Sequence, residues 1–139
     1  MKKHLLFLLF IIFSECTESN LAFHPGTNPS DGILKLVKNF GGSKNDVAKS
    51  VVSTLDGGFA VLGYTQSIDG DVTDKATEDY DFWMLKFDSE AQLEWNKTYG
   101  GSGDDRGSSI IETSDGGYAL LGYSDSTDGD VSSNNGNRD

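Results

Sequence analysis

From Ile33 onward the apolar residues fall in short bursts separated by breaks rich in Gly, Asp and Ser. Leu34, Leu36 and Phe40 stand among polar residues, and so do Leu93, Trp95 and Tyr99. That alternation predicts a strand with one buried face. Residues 47–54 and 107–113 carry Val51-Val52 and Ile110-Ile111 at their centres. Residues 59–64 and 118–123 are apolar on both faces, as is 80–87, which predicts strands enclosed between layers. The sharpest breaks are Asp56-Gly57-Gly58 and Asp115-Gly116-Gly117. Asp bonds its own backbone and Gly accepts positive φ, so each marks a hairpin turn. Asp88-Ser89-Glu90 is a further turn, and nothing in this part of the chain carries a 3.6-residue helical period.

The order of these segments recurs. Residues 41–72 and 100–131 align without a gap at an offset of 59, with 18 of 32 positions identical. One period holds four short strands, the content of a β-propeller blade, and such a unit rarely buries its apolar faces alone. The expected fold is all-β, with β-propeller-like four-stranded antiparallel blades: a closing strand at 33–40, a blade at 42–99 and a partial blade at 101–139. A β-sandwich of unrelated strands would not explain why the second copy restarts with the same turn and strand. A propeller closes with about four to eight blades. The expectation is therefore a fragment of a longer reading frame or a truncated gene, with several chains assembling into a ring as the other route to closure.

The N-terminus has a different pattern. Lys2 and Lys3 precede the unbroken apolar run 5–13, too short to span a bilayer and laid out as an export signal. Cys16 is the only cysteine and follows directly. Phe13-Ser14-Glu15-Cys16 resembles a lipobox, with Glu15 where a small residue is usual. Residues 1–16 are expected to be a signal peptide of the lipoprotein type, with Cys16 as the lipid attachment site. The alternative is an ordinary signal cut near Ala22. Residues 17–32, with Pro25, Gly26, Pro29 and Gly32, read as a tether. The expected address is the bacterial outer membrane, the cell surface or the periplasm, or secretion.

Charge narrows the partners. The chain has 11 basic and 22 acidic residues, a net −11. This balance argues against nucleic acid, which needs cations facing phosphates. It also leaves a lipid anchor as the route to a membrane. The two histidines, His4 and His24, lie in the signal and the tether, so the repeats have no His or Cys for a triad or a zinc site. Asp104/Asp105 could act as an acid–base pair, but the first copy has Asn45/Asp46 there, so the feature belongs to the repeat. No catalytic residue is assigned. Asp69, Asp71, Asp125, Asp128 and Asp130 are candidate calcium ligands, because hard oxygen donors suit that ion. The same Asp-Gly-Asp segments fit Asx-type turns bonded to local backbone. Trp83, Trp95, Tyr64 and Tyr123 could stack sugars or pack a core.

The segment from Leu93 to Asp105, with Thr113-Ser114-Asp115-Gly116-Gly117-Tyr118 and Asp81-Phe82-Trp83-Met84-Leu85-Lys86-Phe87-Asp88, resembles a repeat of bacterial and archaeal extracellular proteins. That repeat reads W-x-K-T-[FY]-G-G-S, then T-x-D-G-G-[FY], then D-[FYW]-W-x-x-K-x-D, as in Bacteroidetes-type surface lipoproteins. The resemblance covers residues 31–139 and departs from the pattern at Leu36, which stands in place of the Trp. It implies a propeller of the kelch-like or quinoprotein-like type. Its expected role is non-catalytic binding or scaffolding, with further repeats, other chains or surface glycans and proteins as partners. The alternative is a carbohydrate-binding or carbohydrate-cleaving surface protein that uses loop Asp and aromatic residues.

Overall fold

The computed structural model describes residues 7–8 and 37–132. Cys16, the proposed tether at 17–32 and all of the signal but Phe7 and Leu8 lie outside the described residues. The described residues form strands and turns only, and no helix among them is long and apolar enough to cross a membrane. Among the described residues eight strands occur in chain order: β1 (Phe7–Leu8), β2 (Val37–Lys38), β3 (Asp46–Ser53), β4 (Phe59–Thr65), β5 (Asp81–Phe87), β6 (Leu93–Tyr99), β7 (Asp105–Glu112) and β8 (Tyr118–Ser124).

Strands β3 to β6 form one antiparallel sheet in sequence order, each strand bonded to its chain neighbour. β7 and β8 form a second, two-stranded sheet, and neither sheet is closed. β1 and β2 make a short antiparallel pair. Within the expected closing strand 33–40, only Val37–Lys38 is strand, and 33–36 lie outside the described residues.

The two copies take the same local form. Asp46 pairs with Thr65 and Ser53 with Phe59; one period later Asp105 pairs with Ser124 and Glu112 with Tyr118. Each ladder shifts register at the same place, Ala48/Ser50 and Gly107/Ser109. The Asp-Gly turns also match. Thr54 and Thr113 accept a bond from the amides of Gly57 and Gly116, whose φ angles are 85° and 82°. A side chain rarely tolerates that region of φ, and glycine enters it without cost.

The four-stranded sheet buries both faces. One face holds Val61, Trp83, Leu85 and Phe87, with Val72 packed on it from a loop. Phe59 stacks on Phe87 at 4.7 Å between centroids, and Phe40 meets the same ring edge-on at 5.2 Å. The other face holds Ala60, Leu62 and Met84, closed by Ile110 of β7. Burying an aliphatic side chain stabilises by about 1.5–3 kcal/mol, so this joint is a principal source of cohesion between the sheets.

Strands β4 and β5 are enclosed as their composition predicts. β8 matches β4 at four of seven positions and is conservative at the rest, yet it is mostly exposed, with Leu121 at 66%. The difference lies in the neighbours: β4 has packing on both faces, and among the described residues the β7–β8 sheet is packed on one.

Candidate functional site

The repeated polar residues converge on a clamp at the start of each unit. In the first, Asp46 is buried at the head of β3. Its Oδ2 accepts bonds from the Gly42 amide at 2.9 Å and the Ser67 hydroxyl at 3.0 Å, and its Oδ1 accepts one from the Thr65 hydroxyl. The Gly41 amide donates to Asp71 Oδ2 at 2.9 Å, and the Ser43 amide to Asp69 Oδ1 at 2.7 Å. The second unit repeats the pattern. Asp105 Oδ2 accepts from Gly101 and Ser126, Asp130 from Gly100 at 3.1 Å, and Asp128 from Ser102 at 2.7 Å. Each loop is thus pinned to the strand that opens its unit.

Four of the five candidate calcium ligands are therefore main-chain acceptors in this structure. Their donors lie 26 and 30 residues away in sequence, not in the adjacent turn that a local Asx motif would use. Asp125 is exposed, and its amide donates to the Asp104 carbonyl at 2.9 Å. Among the described residues no three His, Cys, Asp or Glu side chains converge to hold a metal ion.

The Asp104/Asp105 pair divides its duties. Asp104 accepts from Arg106 at 3.0 Å, while Asp105 is 1% exposed within the second clamp. Among the described residues, Asp105 Oδ1 and Asp81 Oδ1 are buried without a hydrogen-bond partner. Both carboxylates crowd Gly100, where a Cβ would come within 2.4 Å of Asp81 Oδ1 and 2.6 Å of Asp105 Oδ2. Burial pushes Asp81 up to about 6, against the pull of Lys75, with Asp79 and Asp105 adding repulsion. Lys75 itself is buried and bonds Asp79 at 2.6 Å and Asp81 at 3.1 Å.

A second polar centre joins two pieces of the repeat signature. Lys86, 4% exposed, donates to Asp56 of the Asp-Gly turn at 2.7 Å, to Glu94 at 2.8 Å and to the Phe87 carbonyl at 2.9 Å. Burial favours its neutral form, but the bonds and charges of Asp56 and Glu94 prevail and hold it above the ordinary lysine range. The bond from Lys86, aided by Thr54 and Gly58, keeps Asp56 well below the usual carboxylate range.

The four candidate stacking aromatics do not share one surface. Trp83 is buried on the Val61 face, where its indole N–H donates to Asn96 Oδ1 at 3.1 Å. Trp95 meets Tyr118 edge-on across the joint, at 6.2 Å. Tyr64 and Tyr123 flank the Arg106 guanidinium at 5.4 and 5.8 Å, with Tyr80 closer at 4.1 Å.

No protein-family model matches the chain, and a search of curated proteins returned no significant match. The geometry alone therefore identifies the surfaces available for binding.

Two apolar features remain. One is a depression on the Val61 face, lined by Ala48, Val61, Gly63, Trp83, Leu85 and Phe87 among others. The other is the outer face of the β7–β8 sheet, where Ile111 is 57% exposed, Leu121 66% and Tyr123 38%. Composition did not reveal the β7–β8 face, because its exposed Ile111 and Leu121 correspond to the half-buried Val52 and the fully buried Leu62 of the other unit. Placing the two copies of the repeat side by side was the signal that could have exposed it.

Proposed function

We propose that the chain is an exported, lipid-anchored repeat module of β-propeller type that binds or scaffolds without catalysis. One observation carries this reading: the second unit docks the Ile110 face of its hairpin on the Ala60–Leu62–Met84 face of the first, as one blade leans on the next. Its polar chemistry supports the same reading. The recurring carboxylates serve main-chain amides, and the buried lysine serves a turn and a neighbouring strand. Such groups hold a scaffold together and are not presented to a substrate.

The anchor is tested by labelling cells that express the chain with radioactive palmitate. Label is expected on the wild-type chain and not on Cys16→Ser. Equal label on both would refute the anchor. The scaffold role is tested on the folded protein with a broad glycan array and hydrolase substrates. Turnover abolished by Asp105→Asn, with folding intact, would replace this reading by a catalytic one.

A further inference from the structure

We infer that the exposed outer face of the β7–β8 sheet is a docking surface for a second copy of this chain. The copies would meet head to tail through the same joint that already links the two units inside one chain. This rests on the repeat reading above and extends it from packing within the chain to packing between chains.

The argument is one of equivalence. At the offset of 59, Val52, Ala60 and Leu62 correspond to Ile111, Ala119 and Leu121. In the first unit these residues form the face that the second unit covers: Ala60 and Leu62 are fully buried, and Val52 packs beside them. In the second unit the same chemistry is open, with Ile111 at 57% and Leu121 at 66% exposure. A contiguous apolar face of this kind marks an interaction site.

The covering partner can be read from the filled joint. It presents Gly107, Ile110, Leu120 and Gly122. Gly107 lies so close to the Leu62 side chain that a Cβ would meet its Cγ at 2.8 Å, and a Cβ on Gly122 would meet the Phe82 ring at 2.4 Å. Their counterparts one period earlier are Ala48, Val51, Val61 and Gly63. Val51 is 54% exposed where its counterpart Ile110 is 4%. The apolar depression is lined in part by Ala48, Val61 and Gly63, the counterparts of Gly107, Leu120 and Gly122, and Gly107 is the residue against which Leu62 lies in the filled joint. Leu121 is the equivalent of Leu62, and the exposed Val51 of a second copy marks the face it would meet, with Ala48 in place of Gly107 setting the two sheets slightly farther apart than in the filled joint. The knob and the hole belong to different surfaces, so the contact is heterologous. It either propagates or closes into a ring, according to the rotation per step.

The test uses the full chain in sedimentation equilibrium over a wide concentration range. Wild type is expected to grow in mass beyond a dimer as concentration rises. Leu121→Asp spoils only the knob face and Val51→Asp only the receiving face. Both positions are more than half exposed, so circular dichroism and melting of dilute samples should match wild type. Each variant alone should associate about tenfold or more weakly than wild type. An equimolar mixture should recover a dimer and nothing larger, because one good knob meets one good hole. A wild type that stays monomeric at every concentration overturns the inference, as does association unchanged by both substitutions. So does a mixture that behaves as either variant alone. None of these outcomes bears on palmitate labelling or on the packing of the two units within one chain.

Discussion

Leu62 and Leu121 hold the same place in successive units, yet Leu62 is fully buried and Leu121 is 66% exposed. The flanking sequence differs only by conservative changes, so the difference in energy must come from what lies opposite. Leu62→Ala is expected to cost about 2–5 kcal/mol by leaving a cavity in the joint. Leu121→Ala should cost within about 0.5 kcal/mol in the dilute monomer. Urea denaturation of the two variants measures the contrast directly. Equal losses would mean that the second unit is not packed as described.

Gly107 is the tightest point of the joint on the side of β7. A Cβ there would lie 2.7 Å from the Gly63 carbonyl oxygen and 2.8 Å from Leu62 Cγ. Gly107→Ala should therefore force the sheets apart and destabilise by about 1–3 kcal/mol. Trp95, which meets Tyr118 across the same joint, should report the loosening as a shift in its fluorescence. Unchanged melting and emission would show that the sheets do not approach so closely.

Asp81 should make stability fall as the medium becomes less acidic. Its carboxyl is pushed up to about 6 by burial, while an unfolded Asp titrates near 4. The folded form thus binds the proton more tightly. That contribution is full below about pH 4 and is lost as pH rises through 6, an effect on the order of 1–3 kcal/mol. Lys75, Asp79 and Asp105 face the group and set its size. Asp79 works in the opposite sense. Burial raises it, but Lys75 and Thr77 prevail and hold it down, so its contribution is lost as pH falls below the ordinary carboxylate range. Thermal melting from pH 4 to 7 should show the decline, and Asp81→Asn should flatten it. A wild-type profile that is flat across that interval would contradict the assignment.

Asp71 pins the loop of the first unit by accepting the Gly41 amide at 2.9 Å. Asp71→Ala should cost about 1–2 kcal/mol by leaving that donor without its acceptor. The carboxylates of the clamp are already bonded by main-chain amides, so melting in chelator and in excess calcium is expected to coincide. A melting temperature that climbs with calcium concentration would instead mark binding to the folded state.

Much of the architecture was legible because strands announce themselves locally. Alternation placed β6, the Asp-Gly pairs placed the turns between β3 and β4 and between β7 and β8, and the doubly apolar runs placed β4 and β5. The polar centres were less legible. Asp46 and Asp105 recur in register, but their partners Ser67 and Ser126 lie 21 residues away. No local rule predicts that they meet. Lys86 is the one cation within the apolar strand β5, and nothing local to that strand supplies its partners. Its burial follows from Asp56 and Glu94, which reach it from a distant turn and from the next strand. The exposure of β8 was invisible because it depends on the absence of a second layer among the described residues, not on the composition of the strand.

The sequential order of β3, β4, β5 and β6 also bears on how this molecule is made. Every ladder in the larger sheet joins a strand to the one synthesised just before it, so loop closure is short and its entropic barrier low. Such a sheet can zip hairpin by hairpin, and the hairpin of the second unit then needs only to settle on a platform already built. Local pairing of this kind favours fast formation of the larger sheet, which then offers the β7–β8 hairpin the apolar face it needs.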